Sequence, residues 1–211
     1  MTATNRALRL SILVWMGMAL TAESTSAQPR VNTIVASDPA TIRAWDATLD
    51  VMLRSGDLKV QRTDRDTLVP GRTITRLVQL HRGVPIIGAE LTRQTDATGA
   101  TVSIYGTTYS NIDIDVTPTL SPEEAAAIVK THSGVTLGRE RMPALRVFLA
   151  GDSFRLVYSA EAFSINGGTA YIIDALNGAI LQETNAVQRQ SANWSRKGPS
   201  GYHEGSHANP F

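Results

Sequence analysis

The sequence predicts an α+β protein, in which an amino-terminal helix and a twisted antiparallel β meander precede a second helix packed on an antiparallel sheet. Helix-capping signals open two amphipathic stretches, at Ser37-Asp38-Pro39 and at Ser121-Pro122-Glu123-Glu124. The remaining runs alternate apolar and polar residues between turn residues, as hairpin-connected strands do. A helix that covers one face of such a sheet forms an α+β layer.

The first block begins with a lead at 28–36 that we expect to be flexible. Its helix has apolar residues three and four positions apart and ends at Gly56, which suits a helix terminus. The members of this stripe are Ile42, Trp45, Leu49 and Met52. Alternating runs predict strands at 58–62, 74–80, 86–95 and 101–105. Asp113 and Asp115 flank Ile114 and are expected on the solvent face of a further strand.

The second block follows Pro118, which interrupts the strand pattern. Ser121 and Glu124 form a capping box for a helix that we expect to stop at Gly134. Its inward face is expected to carry Ala125, Ile128, Val129 and a partly buried or capping His132. Hairpin-spaced strands are predicted at 145–150, 154–163 and 170–174, and Asn177-Gly178 predicts a turn into a fourth strand from 179. The polar, turn-rich residues 188–211 are expected to form a flexible tail.

Composition excludes several classes of protein. The 211 residues carry a formal net charge of +1, which gives no reason to expect nucleic acid or an anionic membrane as partner. Cysteine is absent, which excludes disulfides, thiolate zinc sites and a cysteine nucleophile.

The amino terminus has the pattern of a secretory signal. Arg6 and Arg9 precede a short apolar run at 10–20, and small residues precede Ala27. The run is shorter than the roughly 20 residues that span a bilayer. We therefore expect cleavage after Ala27, secretion to an extracellular or periplasmic location, and no membrane association afterwards. An uncleaved anchor or a buried helix is the alternative.

The meander contains Gln79 followed by Gly83-Val84-Pro85-Ile86-Ile87-Gly88-Ala89-Glu90-Leu91. This stretch resembles the fungalysin/thermolysin propeptide (FTP) domain of secreted thermolysin-like zinc metallopeptidases. Residues 120–125, 156–158 and 171–181 resemble the cystatin-like PepSY domain that follows it. The resemblance covers about 57–187 and implies an FTP-like domain at 37–117 and a PepSY-like domain at 118–187. These lie between the predicted signal peptide at 1–27 and the predicted tail at 188–211. The signature residues carried over are Gln79, Gly83, Pro85, Gly88, Glu90, Asp174 and Gly178.

The resemblance implies a non-catalytic chaperone and inhibitor without a cofactor, whose partner is a secreted thermolysin-like metallopeptidase catalytic domain, in cis or in trans. The expected contact is a sheet edge and the extended segment after Leu181, with Glu183, Asn185 and Arg189 as protease-contact residues. The chain is expected to be either a fragment of a longer protease or a stand-alone regulator. The family often has a histidine near the start of the Gln79 strand, where this chain has Ile74.

Two alternatives come from other classes. His203-Glu204-Gly205-Ser206-His207 matches a zinc-protease pattern, in which two histidines on one helical face hold zinc and the glutamate activates water. Gly205 and Pro210 disfavour the required helix, so the match is expected to be coincidental. The other alternative is a general extracellular protein-binding module.

Overall fold

The structure, a computed structural model, describes residues 28–165 and 167–186. The predictions for the signal peptide, Arg189, His203, Glu204, His207 and the tail lie outside the described residues. In chain order the elements are β1 (Arg30–Ala36), α1 (Pro39–Ser55), β2 (Leu58–Arg65), β3 (Thr73–His81), β4 (Val84–Thr95), β5 (Thr101–Ser110), α2 (Pro122–Ser133), a 3-10 turn (Arg139–Arg141), β6 (Ala144–Ala150), β7 (Ser153–Ser164), β8 (Gly167–Asp174) and β9 (Ile180–Asn185).

The predicted α+β class is confirmed. Over the described residues, nine strands form a sheet in which β4 pairs with three strands, β3, β5 and β6. The first sheet has the order β2-β3-β4-β5-β1 and the second sheet has the order β6-β7-β8-β9, with antiparallel pairing inside each. A parallel bridge between Ile86 and Val147 joins β4 to β6. The predicted domain boundary at 117/118 stays a prediction.

Two sequence expectations for the first block were wrong. Residues 30–36 form β1, an edge strand paired with β5, and are not a flexible lead. Residues 111–118 form no strand, although their exposure alternates and leaves Asp113 and Asp115 in solvent. The His81 imidazole donates a hydrogen bond from Nε2 to the Ile114 carbonyl at 3.1 Å. No sheet ladder of the described residues holds this segment. Its position is fixed by packing of Ile114 against the core and by the hydrogen bond from His81.

Helix α1 starts and ends where its capping residues predict. The Asp38 carboxylate accepts hydrogen bonds from the amides of Ala40 and Thr41, each at 3.1 Å, and Gly56 closes the helix at φ 83°. The apolar stripe faces a core formed by Ile34, Ala36, Leu49, Leu58, Leu77, Leu91 and Ile104. The helix therefore covers one face of the first sheet and leaves the other face to solvent.

Helix α2 begins with the predicted capping box, in which Ser121 and Glu124 bond each other's backbone amides, and it ends at Gly134. Ala125 and Val129 are buried against β7 and β8. His132 is exposed, contrary to the expectation of a partly buried residue. A third, smaller core of Ile86, Ala89, Val147 and Phe154 fills the junction between the two sheets.

Candidate functional site

The signature stretch forms the β3–β4 hairpin. Arg82 and Gly83 form its two-residue turn at φ 48° and 85°, the left-handed values that a tight hairpin turn with the native twist requires. Pairing is then interrupted, because Leu80 faces Pro85 whereas Val78 already faces Glu90. The four residues 86–89 therefore bulge out of the ladder opposite Gln79.

Gly88 provides the conformation that this bulge needs. Its φ of 81° is unfavourable for residues with a side chain. A Cβ placed there would also lie 3.3 Å from the Tyr109 hydroxyl oxygen. A glycine inside a strand often marks a bulge, and Gly88 lies in one.

Gln79 repairs the ladder that the bulge breaks. Its buried amide donates to the Tyr109 carbonyl at 2.7 Å and accepts from the Tyr109 amide at 2.8 Å. These are the two bonds that a neighbouring strand would make, so the side chain stands in for the displaced part of β4. Meanwhile Ile86, freed from β3, pairs with β6.

The remaining signature residues are architectural as well. Asp174 is 3% exposed and accepts hydrogen bonds from the Leu176 and Asn177 amides, at 2.9 and 3.3 Å. Its carboxylate also forms an ion pair with Arg155 at 3.1 Å. Gly178 completes this turn at φ 76°, and a Cβ there would lie 2.9 Å from Ile128 Cδ1 of α2. The turn between β8 and β9 is thus fitted against the second helix.

The sequence-predicted contact residues lie at the other end of the same strand. β9 is the last strand of the second sheet: β8 occupies one side, and no strand of the described residues pairs with the other. Glu183, Thr184 and Asn185 line an open hollow of about 640 Å³ together with residues of the β7–β8 hairpin, Ser164, Gly167, Gly168 and Thr169. Two of the three predicted contact residues are therefore brought together here, and Arg189 lies outside the described residues.

The hairpin that lines this hollow also borders a second one. That hollow, of about 540 Å³, has a mixed lining of apolar residues such as Ile87, Met142 and Phe163 and of the charged residues Arg141 and Glu161. Phe163 is 38% exposed and Ile165, at the hairpin end, is fully exposed. The β7–β8 hairpin thus contributes to two hollows, and residues of the open edge strand line one of them.

A tyrosine beneath the edge is held neutral. Burial raises the pKa of the Tyr171 hydroxyl, and the Glu183 carboxylate, on the residue paired with it, raises that pKa further. The Tyr171 hydroxyl is thus a neutral polar group at the base of β9. Within 28–165 and 167–186, no three His, Asp or Glu side chains come close enough together to hold a metal ion.

Sequence reasoning did not identify three residues of the first sheet that have unusual contacts. Tyr109 receives Gln79, and Gly106 sits so close to β4 that a Cβ would lie 2.1 Å from the Glu90 carbonyl oxygen. Arg76 has a buried Nε without a hydrogen-bond partner in the described part of the chain. The close contact at Gly106 could have been predicted, because a glycine inside an alternating run such as 101–110 often indicates close approach of another backbone.

Comparison with known proteins places the chain near thermolysins. No family model matches it. Thermolysin of Alicyclobacillus acidocaldarius subsp. acidocaldarius is 28% identical over 130 residues, which cover 56% of this chain and 24% of that protein. Thermostable neutral protease NprT of Geobacillus stearothermophilus is 27% identical over 131 residues, with the same shares of 56% and 24%. The chain thus spans about a quarter of the length of the curated relatives it matches.

Two solved structures were also matched. The Bacillus megaterium YpeB C-terminal domain is 11% identical and aligns over 79% of this chain and 92% of that one, at a TM-score of 0.36. A putative lipoprotein from Clostridium difficile 630 is 10% identical over 67% and 91%, at a TM-score of 0.29. No helix of the described residues is long and apolar enough to cross a membrane.

Proposed function

We propose that this chain is a non-catalytic, propeptide-like protein that assists the folding of a secreted thermolysin-like metallopeptidase and inhibits it. The resemblance of two successive blocks to propeptide domains supports this, as does the partial identity to thermolysins. The matched quarter of those relatives fits a propeptide. The apolar run and small residues before Ala27 support an extracellular location.

The observation that carries the proposal is the open edge of β9. An edge strand presents a row of main-chain donors and acceptors to which an extended peptide can add as the next strand. In that binding mode, main-chain hydrogen bonds supply affinity and pockets for side chains supply specificity. The hollow beside Glu183 and Thr184 is lined by β9 and the β7–β8 hairpin, so it adjoins the edge strand on its β8 side.

The edge stands on a rigid support. Its neighbour β8 is buried at every residue from Ala170 to Asp174, and helix α2 packs across β7 and β8 from one face. A partner strand would therefore bind an edge that needs little ordering, which lowers the entropic cost of association. Folding assistance follows from the same geometry, because a preformed edge is a template for a strand of the peptidase.

Inhibition would follow if the chain continuing from β9 lies across the peptidase cleft while the edge holds the peptidase surface. The exposed Glu183 carboxylate gives this edge a negative charge at its open end. Its contact on the peptidase is then a basic or hydrogen-bond-donating group.

The test uses the chain from Gln28 to Phe211 and the mature thermolysin-like peptidase of the source organism. We expect the chain to slow cleavage of a peptide substrate and to raise the yield of active peptidase refolded from denaturant. Glu183→Lys should weaken inhibition about tenfold or more, since a reversed charge at a contact replaces attraction with repulsion. Asp152→Lys, the same reversal in the β6–β7 turn at the opposite end of the sheet, should inhibit like the wild type.

Absence of both slowed cleavage and improved refolding would overturn the proposal. Equal effects of the two charge reversals would keep an inhibitory role but remove the β9 edge as its site.

A further inference from the structure

The first sheet ends in two edge strands, β2 and β1, and only β2 is protected against pairing with another chain. Proteins usually shield an open edge with charged side chains, proline or bulges. β2 carries four charged side chains, and its register with β3 shifts between Val60 and Arg62. β1 pairs with β5 through seven consecutive residues without a shift, and its one charged residue, Arg30, is its first. No strand of the described residues pairs with the other side of β1.

β1 also exposes apolar side chains. Val31 is 51% exposed and Val35 77%, and the exposed Thr33 lies between them. These three side chains point away from α1, because Ile34 and Ala36 point into the core beneath that helix. Side chains on a strand are stabilised by neighbours across the ladder, and β5 supplies such neighbours on one side only. A strand added at the open side of β1 would pack beside both valines.

The sequence of β1 is complementary to a second copy of itself. An antiparallel pair with a two-fold axis at Thr33, the middle residue of the strand, uses all seven residues of each copy. Val31 then lies opposite Val35 of the second copy on both sides of the axis, and Thr33 lies opposite itself. Threonine pairs directly across a ladder are favourable, and the valine pairs pack together. An axis perpendicular to the sheet also keeps α1 of both copies on the same side.

The two ends of β1 are complementary in charge in this register. Arg30 lies opposite Ala36 of the second copy, two residues before the Asp38 that caps α1 there. Arg30 and Ala36 point to the face that carries α1, since both alternate in phase with the buried Ile34. Long side chains reach diagonal neighbours two residues away. The exposed Arg30 guanidinium can therefore reach the exposed Asp38 carboxylate at each end of the pair.

We infer that the open side of β1 binds the same strand of a second copy of this chain, forming an antiparallel two-fold dimer with a continuous sheet across the interface. The assembly closes at two copies, because both unprotected edges are paired within it. One strand pair buries less area than a standard interface, so we expect a dissociation constant of roughly 10 μM to 1 mM. The β9 edge lies in the second sheet and stays accessible, so this inference is independent of the proposed function.

Sedimentation equilibrium of the chain from Gln28 to Phe211 tests the dimer. The wild type should pass from monomer to dimer between roughly 5 μM and 1 mM. Thr33→Lys places like charges directly opposite each other at the axis, and it should raise the dissociation constant about tenfold or more. Thr33→Glu should do the same. An equimolar mixture of the two variants places opposite charges at the axis and should dimerise at least as well as the wild type.

Thr63→Lys is the matched control, because Thr63 is also an exposed threonine in an edge strand of the first sheet. It should leave the dissociation constant unchanged. Arg30→Gln should weaken the dimer only about threefold, since an exposed ion pair contributes little. At concentrations where the wild type is monomeric, Thr33→Lys should keep the wild-type Tm, because an exposed side chain is replaced.

Four outcomes overturn the inference. The first is a wild type that stays monomeric up to about 1 mM. The second is unchanged dimerisation of Thr33→Lys, or a mixture of the two charged variants that does not pair, because either result removes the axis at Thr33. The third is a Thr63→Lys variant that dimerises as poorly as Thr33→Lys, which would reduce the effect to net charge. The fourth is assemblies that grow beyond the dimer, which would show that β1 pairs with a different edge.

Discussion

Each of the two sheets is covered by one helix, but the solvent-exposed part differs between them. In β8 the residues from Ala170 to Asp174 are consecutively buried, so the second sheet presents its edge strand. In the first sheet burial alternates, as at Leu77 and Leu91, and the face turned away from α1 stays open. The helices thus cover the two sheets to different extents, and substitutions should show how far the stability of each sheet depends on the other.

Gly106→Ala should have the largest effect and tests whether the two sheets are one cooperative unit. Its Cβ would lie 2.1 Å from the Glu90 carbonyl oxygen at a φ of 140°, so β4 and β5 must separate. We expect a loss of about 3 kcal/mol or more in the free energy of unfolding. Urea unfolding followed by Trp45 fluorescence, in a Trp194→Phe background, measures the first sheet, and amide exchange of β8 measures the second.

Gly99→Ala is the matched control, because it also has a positive φ, of 85°, but meets open space. It should cost roughly 1–2 kcal/mol. Because β4 belongs to both sheets, we expect the same loss from both probes. A loss confined to Trp45 would show instead that the sheets unfold independently.

Gln79→Met tests how much the Gln79 side chain stabilises the junction between the two sheets. It removes both bonds to Tyr109 and leaves a buried amide and a carbonyl without partners. The expected loss is about 3 kcal/mol, together with faster hydrogen exchange at the Tyr109 amide. Gln94→Met, which removes one bond from Ser103 in a less buried pair, should cost about 1 kcal/mol or less. Equal losses would mean that Gln79 does not replace a strand.

Tyr158→Phe measures how firmly the start of α2 is held on the second sheet. The Tyr158 hydroxyl donates to the Leu120 carbonyl at 2.8 Å, and its loss should cost about 1 kcal/mol. Tyr105→Phe, at an exposed position on β5, should change stability by no more than about 0.5 kcal/mol. Chemical denaturation at neutral pH gives both values.

Tyr158 also predicts that the protein loses stability at alkaline pH. Burial, followed by the carboxylates of Glu123 and Glu124, raises the pKa of Tyr158. A raised pKa in the folded state means that the stabilisation is complete below the unfolded value of about 10 and is lost as the pH rises through the folded value. The Phe variant should lack this part of the alkaline decline, and an identical decline in both proteins would contradict the assignment.

The smallest effect is expected at acid pH. Hydrogen bonds from Thr41 lower the pKa of Asp38, and those from Ser121 lower the pKa of Glu124. Each carboxylate therefore stabilises its helix above its unfolded pKa, about 4, and this stabilisation is lost as the pH falls through the lower folded value. Thr98 lowers the pKa of Asp96 in the β4–β5 turn likewise, so the first sheet should be the more acid-sensitive of the two.

Amide isosteres supply the control for this prediction. Asp38→Asn and Glu124→Gln keep the capping geometry but cannot titrate. They should retain stability at neutral pH and flatten the acid decline of α1 and α2 respectively, as read by circular dichroism and Trp45 fluorescence. An unchanged acid profile would place the titrating groups elsewhere.

Local signals sufficed to predict most elements. The capping residues of both helices and the turn at Gly178 lie where the sequence placed them, because each depends on neighbours in the chain. β1 was missed because its partner is β5, far along the sequence. At 112–116 the alternation of apolar and polar residues correctly predicted that Asp113 and Asp115 are exposed. Alternation does not reveal whether a neighbouring strand pairs with the segment, and no strand of the described residues does.

The candidate site was predicted only in part. Glu183 and Asn185 were identified through the resemblance, and the structure places them on an edge strand beside a hollow. Arg76 could not be identified, since an arginine in an alternating run is ordinary. Its unusual environment depends on Arg62 lying opposite across the β2–β3 ladder and on its buried Nε. Such facts arise from pairing between strands, which local sequence patterns do not encode.

The pairing of β1 with β5 also sets an order of events. Asn32 of β1 lies beside Ser110 of β5, 78 residues further along the chain. A chain synthesised from its amino terminus must keep β1 unpaired until β5 has emerged, and closing so long a loop is slow. We therefore expect β1 to join the first sheet after the local hairpins that connect β2 to β5 have formed.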